Sequence, residues 1–233
     1  GMYIDTLDLV SGDTRISVTV LLSVAPQQTI AEAVRNEDFA TVYLNPVVVT
    51  KKYDRYIFVR DDSGSMLIYD GTDTNGKPFG QGLSKGDVLT GVHGRYQNYY
   101  GVPELSPVEA WTVGSTKAEC LPDSNILALD SADVCRYVVL DSVVVSGEQC
   151  TYRGRTYALA DKFNIGTLVE NRPTRIEAIV SYDRNVLTLW IISQTVYPEP
   201  TALDNISQNC SSSPAYTPIG QPVSDDYHGI VIQ

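Results

Sequence analysis

Histidine, methionine and tryptophan are nearly absent from this sequence, which contains two of each. His93 and His228 lie far apart in the chain, and no HExxH, GxSxG or P-loop motif is present. Such motifs bring a metal ligand, a nucleophile or phosphate-binding amides to one place. Their absence predicts a protein that is not an enzyme, with no catalytic residue, no metal and no cofactor. A metal-dependent hydrolase is the least favoured alternative.

Cysteine and long apolar runs are also scarce. The four cysteines form no CxxC pair, which argues against a zinc site or a thioredoxin-type motif. The sequence does not choose among the disulfide pairings of Cys120, Cys135, Cys150 and Cys210, and free buried thiols fit it equally well. No apolar run approaches the roughly 20 residues of a membrane-spanning helix, so no membrane span is predicted.

Basic residues are outnumbered: 17 lysines and arginines stand against 28 aspartates and glutamates, which gives a formal charge of −11. An acidic surface repels the phosphate backbone of nucleic acids, which excludes indiscriminate high-affinity binding to them. Weak binding at a locally basic patch is still compatible with this charge.

Apolar residues make up 43% of the chain, and their spacing is mostly that of β-strands. Alternation from Ile16 to Val24 predicts one strand, with a partner near Tyr3 to Leu9. Thr29 followed by Glu32 predicts a short helix that begins with a capping box.

Two stretches of the sequence are repeated in the same order. TVYLNPVVVT at 41–50 resembles YVVLDSVVVS at 137–146, and RYIFVRD at 55–61 resembles RTYALAD at 155–161. Further strands, with a long polar loop after the third strand of the first copy, give the order of a five-stranded Greek-key barrel, the OB-fold. The predicted fold is therefore all-β, with two tandem OB-fold-like five-stranded Greek-key barrels, a short N-terminal β/helix extension and a C-terminal β-hairpin tail.

The predicted boundaries follow from this repeat. Residues 1–35 form the N-terminal extension, 36–115 the first OB-fold domain, 116–133 a linker, 134–198 the second OB-fold-like domain and 199–233 the tail module.

The strongest candidate for a ligand-binding surface is the outer face of the second and third strands of the first barrel. If Ile57 and Val59 point inward, their neighbours point outward, where rings stack on bases or sugars and cations contact phosphate. The predicted ligand-binding residues are Lys51, Lys52, Arg55, Tyr56, Phe58, Arg60, Tyr69, Tyr96, Tyr99 and Tyr100. Packing of Tyr56 and Phe58 against the second domain or against the N-terminal segment is the alternative. The second copy has small residues at these positions, Thr156, Ala158 and Ala160, so the aromatic site is predicted in the first domain only.

The acidic clusters are better explained as turns than as metal sites or acid–base pairs. Asp70, Asp73 and Asn75 lack the full spacing of a calcium loop. Asp61 and Asp62 are neighbours on an extended segment and point in opposite directions, which favours a capping role.

The first copy resembles secreted OB-fold proteins of anaerobic Gram-negative bacteria that are described as nucleic-acid-binding. The resemblance rests on the helix at 29–34, on Tyr56 to Asp62 with Gly64, on Tyr69, and on Lys85-Gly86-Asp87 with Gly91 and Gly94. The C-terminal IGQPVSDDYHGIVIQ resembles a terminal module of exported proteins of the same bacteria, some of which use it as a sorting signal. These resemblances imply export to the periplasm, the outer-membrane surface or the extracellular space.

The predicted function is therefore a non-catalytic, exported OB-fold binding protein that binds single-stranded nucleic acid weakly through the first domain. The alternative is a carbohydrate- or protein-binding accessory module at the cell surface. The predicted partners are single-stranded nucleic acid, an oligosaccharide or another envelope protein.

Overall fold

The alternation of apolar residues produces strands along most of the chain in the computed structural model, which describes residues 2–23 and 26–198. The predicted all-β class is confirmed. The chain divides into two compact units, 1–196 and 197–233. The predicted C-terminal tail and Cys210 lie outside the described residues.

An antiparallel hairpin and a short helix come before the barrels. Strands β1 (Met2–Ser11) and β2 (Thr14–Ser23) pair along their full length as a separate two-stranded sheet. Helix α1 (Ile30–Ala33) begins at Thr29, whose side chain accepts from the Glu32 amide while the Glu32 carboxylate accepts from the Thr29 amide. The predicted N-terminal strands and the predicted capping box are confirmed.

The first barrel contains strands that pair in the order β10-β7-β4-β5-β6-β9-β8-β3, with β6 parallel to β9. Their bounds are β3 (Thr41–Tyr43), β4 (Val47–Tyr53), β5 (Tyr56–Arg60), β6 (Ser65–Tyr69), β7 (Val88–Thr90), β8 (His93–Tyr99), β9 (Val102–Pro107) and β10 (Thr112–Val113). The segments β3 and β4 are consecutive in the chain, as are β7 and β8. Because β3 pairs with β8 while β4 pairs with β7, the sheet closes on itself, and the Leu44 amide bridges the gap by donating to the Val92 carbonyl at 2.9 Å.

The second barrel is closed, with the strand order β11-β12-β13-β15-β14 and with β13 parallel to β15. Its strands are β11 (Tyr137–Ser146), β12 (Gln149–Tyr152), β13 (Arg155–Ala160), β14 (Pro173–Asp183) and β15 (Val186–Val196). This is the same order that β4, β5, β6, β9 and β8 follow in the first barrel. The assignment of each barrel to the OB-fold stays a prediction that this shared order supports.

A third apolar cluster lies between the barrels, in addition to the core inside each of them. Phe58, Leu67 and Val102 come from the first barrel, and Phe163 and Trp190 come from the second part of the chain. The cluster also includes Cys120 and Cys135 from the segment that joins the barrels. The two barrels therefore share a buried surface within residues 1–196.

The three described cysteines are free, buried thiols. Burial raises the pKa of the Cys150 thiol to about 12 and also raises the pKa values of Cys120 and Cys135. A thiol with a raised pKa is a poor nucleophile at neutral pH, so these side chains act as small apolar packing groups.

Candidate ligand-binding groove

Strand β5 has the predicted alternation, but its outer face is covered. Ile57 and Val59 lie in the core of the first barrel, and Phe58 points outward from it. The Phe58 ring is 0% exposed because it packs against the rings of Trp190 at 5.8 Å and Phe163 at 6.4 Å, between ring centroids. The proposed role of Phe58 in ligand binding is therefore corrected: the ring packs against the second barrel and offers no face to a ligand.

The predicted role of Tyr96 in ligand binding is also corrected, because its ring is buried. Its side chain points into the first barrel, where it is 3% exposed, and its hydroxyl donates to the Val34 carbonyl at 3.2 Å. Along β8 the buried positions are Gly94 and Tyr96, so alternation places Tyr96 on the inner face of the strand.

Three of the predicted basic residues, Lys51, Lys52 and Arg60, each contact a different group of the protein. Arg60 donates to the Leu121 carbonyl at 2.9 Å and lies 3.6 Å from the Asp123 carboxylate. Lys52 donates to the Asp54 carbonyl, while the ammonium of Lys51 lies 4.9 Å from the centre of the Phe163 ring. Burial, followed by repulsion from Lys85, lowers the pKa of Lys51. Each of these three cations therefore has a protein contact of its own.

Arg55 supports an aromatic ring of the groove. Its guanidinium donates twice to the Asp70 carbonyl, at 3.0 and 2.7 Å, and lies 4.3 Å from the centre of the Tyr69 ring. Arg55 therefore fixes one face of Tyr69.

A groove of about 750 Å³ lies where the first barrel meets the turn between β14 and β15. Six aromatic residues line it: Tyr56, Tyr69, Tyr99, Tyr100, Tyr182 and Trp190. The first four were predicted from the sequence, and the last two come from the second barrel. The groove is thus built from both barrels, whereas the sequence predicts an aromatic site in the first domain alone.

The rings form two groups. The Tyr56 ring contacts Tyr69 and Trp190 edge to face, at 5.8 and 5.5 Å between centroids, and Lys162 lies 5.3 Å from the centre of the Trp190 ring. Tyr99 and Tyr100 are perpendicular to each other at 4.8 Å and are 55% and 69% exposed. The first group forms a packed floor, and the second presents free ring surface at the rim.

Charged residues of both signs line the groove in equal number, Lys162 and Arg184 against Glu104 and Asp183. Glu104 is buried and accepts from the Gln97 amide at 2.8 Å, and burial raises the pKa of its carboxyl group. The groove therefore has no dominant sign of charge.

Two groove residues carry polar atoms that lack a partner. Within the described residues, Ser181 Oγ and Trp190 Nε1 are the buried side-chain polar atoms without a hydrogen bond. A buried polar group without a partner costs about 1–3 kcal/mol, and such groups are rare in native proteins. Both side chains line the groove, so its wall contains two buried polar atoms without a hydrogen bond.

Tyr182 and Trp190 were missed because no local pattern marks them as surface residues. Both follow the apolar alternation of β14 and β15, which reads as core. The hairpin turn between their strands, where Arg184 and Asn185 both have positive φ angles, also lines the groove.

The acidic clusters have structural roles. Asp61 accepts from the Ile30 amide at 2.8 Å and from the amides of Ser63 and Gly64, so it caps α1 and its own turn. Asp73 accepts from the amides of Asn75 and Lys77. Within the described ranges, no group of three His, Cys, Asp or Glu side chains is placed to hold a metal ion.

No helix in the described part of the chain is both long and apolar enough to cross a membrane.

No protein-family model matches the sequence, and no curated protein matches it. Among solved structures, the crystal structure of the tetrameric p202 HIN2 is similar over 70% of this chain and 96% of that chain, at 10% sequence identity and a TM-score of 0.31. At this level of similarity, no ligand or function is carried over to this chain.

Proposed function

We propose that this protein is a non-catalytic binding protein that holds an oligosaccharide in the groove between its two barrels. The observation that carries the proposal is the convergence of six aromatic residues from both barrels on one groove. Sugar rings have apolar C–H faces and polar edges, and tyrosine and tryptophan match both because each combines a ring with a hydrogen-bonding group.

The charges of the groove favour an uncharged ligand over a phosphate chain. Two cations stand against two carboxylates in the groove, and the whole chain carries a formal charge of −11. Binding to nucleic acid depends on several cations that neutralise phosphates. Three of the cations predicted for that task, Lys51, Lys52 and Arg60, contact protein groups elsewhere.

Single-stranded nucleic acid is the second candidate, favoured by the two cations of the groove. Lys162 lies beside Trp190, and Arg184 lies in the adjacent hairpin turn. A base that stacks on Tyr99 or Tyr100 with its phosphate near these cations follows the general mode of single-strand recognition.

The two candidates are separated by a titration with glycans and with single-stranded DNA and RNA at low and high salt. Sugar binding is expected to change little with salt, whereas nucleic-acid binding falls steeply because counterions are released.

Replacement of both rim rings, Tyr99→Ala with Tyr100→Ala, is expected to weaken binding by about tenfold or more, as for aromatic hot spots. Phe39→Ala is the matched control, since Phe39 is an aromatic residue with 65% exposure outside the groove. Equal affinity in the two variants contradicts the proposed site.

Export is part of the proposal and is supported by the sequence resemblance of residues 220–232, which lie outside the described residues. Fractionation of cells that produce the native gene product tests it. Recovery of the protein from the cytosol contradicts it.

A further inference from the structure

The groove does not end at its aromatic rim. A second depression, of about 610 Å³, shares Tyr100, Tyr182 and Asn185 with the first. Each depression has the size of a typical small-molecule site. A ligand that fills one of them therefore reaches the border of the other.

The second depression has a different chemistry from the first. Besides the shared residues, it is lined by Asn98, Gly101 and Ser131, and none of the described residues that line it carries a formal charge. Amide, hydroxyl and phenol groups both donate and accept hydrogen bonds, as sugar hydroxyls require. A phosphate in this place finds no lining cation.

The border between the depressions depends on a glycine. Gly101 has a φ angle of +89°, and a Cβ atom built on it lies 2.8 Å from two carbons of the Tyr182 ring. Such a contact is shorter than real Cβ atoms tolerate, so only glycine lets Tyr182 pack against the turn between β8 and β9. Asn98 fixes this turn, since its side-chain oxygen accepts from the Gly101 amide at 2.8 Å.

From these observations we infer that the two depressions are consecutive subsites for a linear oligosaccharide, which passes Tyr100 and Tyr182 and places uncharged sugar units against Asn98, Ser131 and Asn185. This inference rests on the proposed function and adds the class of ligand, an uncharged chain long enough to span both subsites. Affinity then rises with chain length until the second subsite is filled and changes little beyond that point.

The test uses cello- and manno-oligosaccharides, from disaccharide to hexasaccharide, titrated against the full chain. Chains that reach the second subsite are expected to bind about tenfold more tightly than the disaccharide, equivalent to about 1.4 kcal/mol. Ser131→Trp places a bulky ring in the second depression and is expected to remove this gain while the affinity for the disaccharide is unchanged.

Ala132→Trp is the matched control, because Ala132 is the exposed neighbour of Ser131 and does not line either depression. It is expected to keep the dependence on chain length. A wild-type protein that binds short and long chains equally overturns the inference of two subsites but leaves the proposed groove intact, provided that loss of Tyr99 and Tyr100 weakens both. Binding that is insensitive to the rim tyrosines, or absent for every chain, overturns the proposed function itself.

Discussion

At the scale of single residues, Phe58 has the direction that alternation predicts but a role that its local sequence does not reveal. The ring points away from the first barrel and is fully buried against Trp190 and Phe163. A buried aromatic ring contributes both apolar burial and edge-to-face contacts. Phe58 therefore holds the two barrels together.

Phe58→Ala is expected to lower the free energy of unfolding by about 3–5 kcal/mol, the range for buried phenylalanines, because the cavity lies in a closely packed cluster. Urea denaturation followed by circular dichroism measures the change. Phe39→Ala, at an exposed ring, is the control and is expected to change stability little. Similar losses in both variants contradict the assigned role of Phe58.

Glu104, which lines the groove, makes the stability of the protein depend on pH. Burial raises the pKa of its carboxyl group in the folded protein, so ionisation is less favourable in the folded than in the unfolded chain. The associated stability is present at low pH and is lost as pH rises through the folded-state pKa. Glu104→Gln keeps an acceptor for Gln97 and removes this loss. We expect the variant to be more stable than wild type at neutral pH, with a difference that narrows as pH falls in a series of urea titrations.

The basic residues show why candidate sites were only partly predictable at this scale. Sequence identifies Arg60 as a strand-end cation, but its partner Asp123 lies in the segment between the barrels. The outward direction of Tyr56 was predictable because alternation is a local property. Its neighbour Trp190 is remote in sequence, and no local pattern connects the two.

At the scale of elements, the short helix α1 is stabilised by a turn that lies after β5. A helix of four residues has little stability of its own, because its first amides lack partners within the helix. Asp61 accepts from the Ile30 amide, and Ser63 Oγ accepts from the Ala31 amide at 2.9 Å. The Asp-Asp-Ser-Gly sequence, which is part of the family resemblance, is therefore explained by helix capping.

Asp61→Ala is expected to cost about 1–2 kcal/mol, since it removes a cap from α1 and the hydrogen bonds of its own turn. Asp62→Ala is the matched control, because Asp62 is the exposed neighbour on the same turn. Thermal unfolding of both variants gives the comparison. A control variant that loses as much stability as Asp61→Ala indicates that general charge, rather than capping, is responsible.

Strand positions were predictable because they depend on local alternation and turn residues, as the N-terminal hairpin, α1 and the strands of both repeats show. The places at which a strand is interrupted were harder to predict. The extended segment from Val88 to Tyr99 is divided into β7 and β8 around Gly91, which has a φ angle of +75°. This division lets one segment pair with β4 and the other with β3, and pairing of that kind depends on distant strands.

At the scale of the whole molecule, the packing of the two barrels forms the groove. The same packing buries Phe58, on the outer face of β5 that was predicted to bind a ligand. The contacts that define this packing join residues more than a hundred positions apart, such as Phe58 with Trp190. Alternation predicts which side chains point outward from a barrel, but it does not predict which outward side chains of the two barrels contact each other. The pairing of faces is therefore a tertiary property.

The shared cluster between the barrels predicts that the two barrels unfold as one cooperative unit. Separation of the barrels would expose Phe58, Phe163 and Trp190 to water, and this loss of apolar burial disfavours a state in which one barrel unfolds alone. In the variant Trp111→Phe, Trp190 is the remaining tryptophan and reports on the interface, while far-ultraviolet circular dichroism reports on the strands of both barrels. We expect the two signals to give the same urea midpoint and the same slope. A fluorescence change that is complete before the circular dichroism changes would show that the interface opens first, and that the groove is not held in one shape by its two walls.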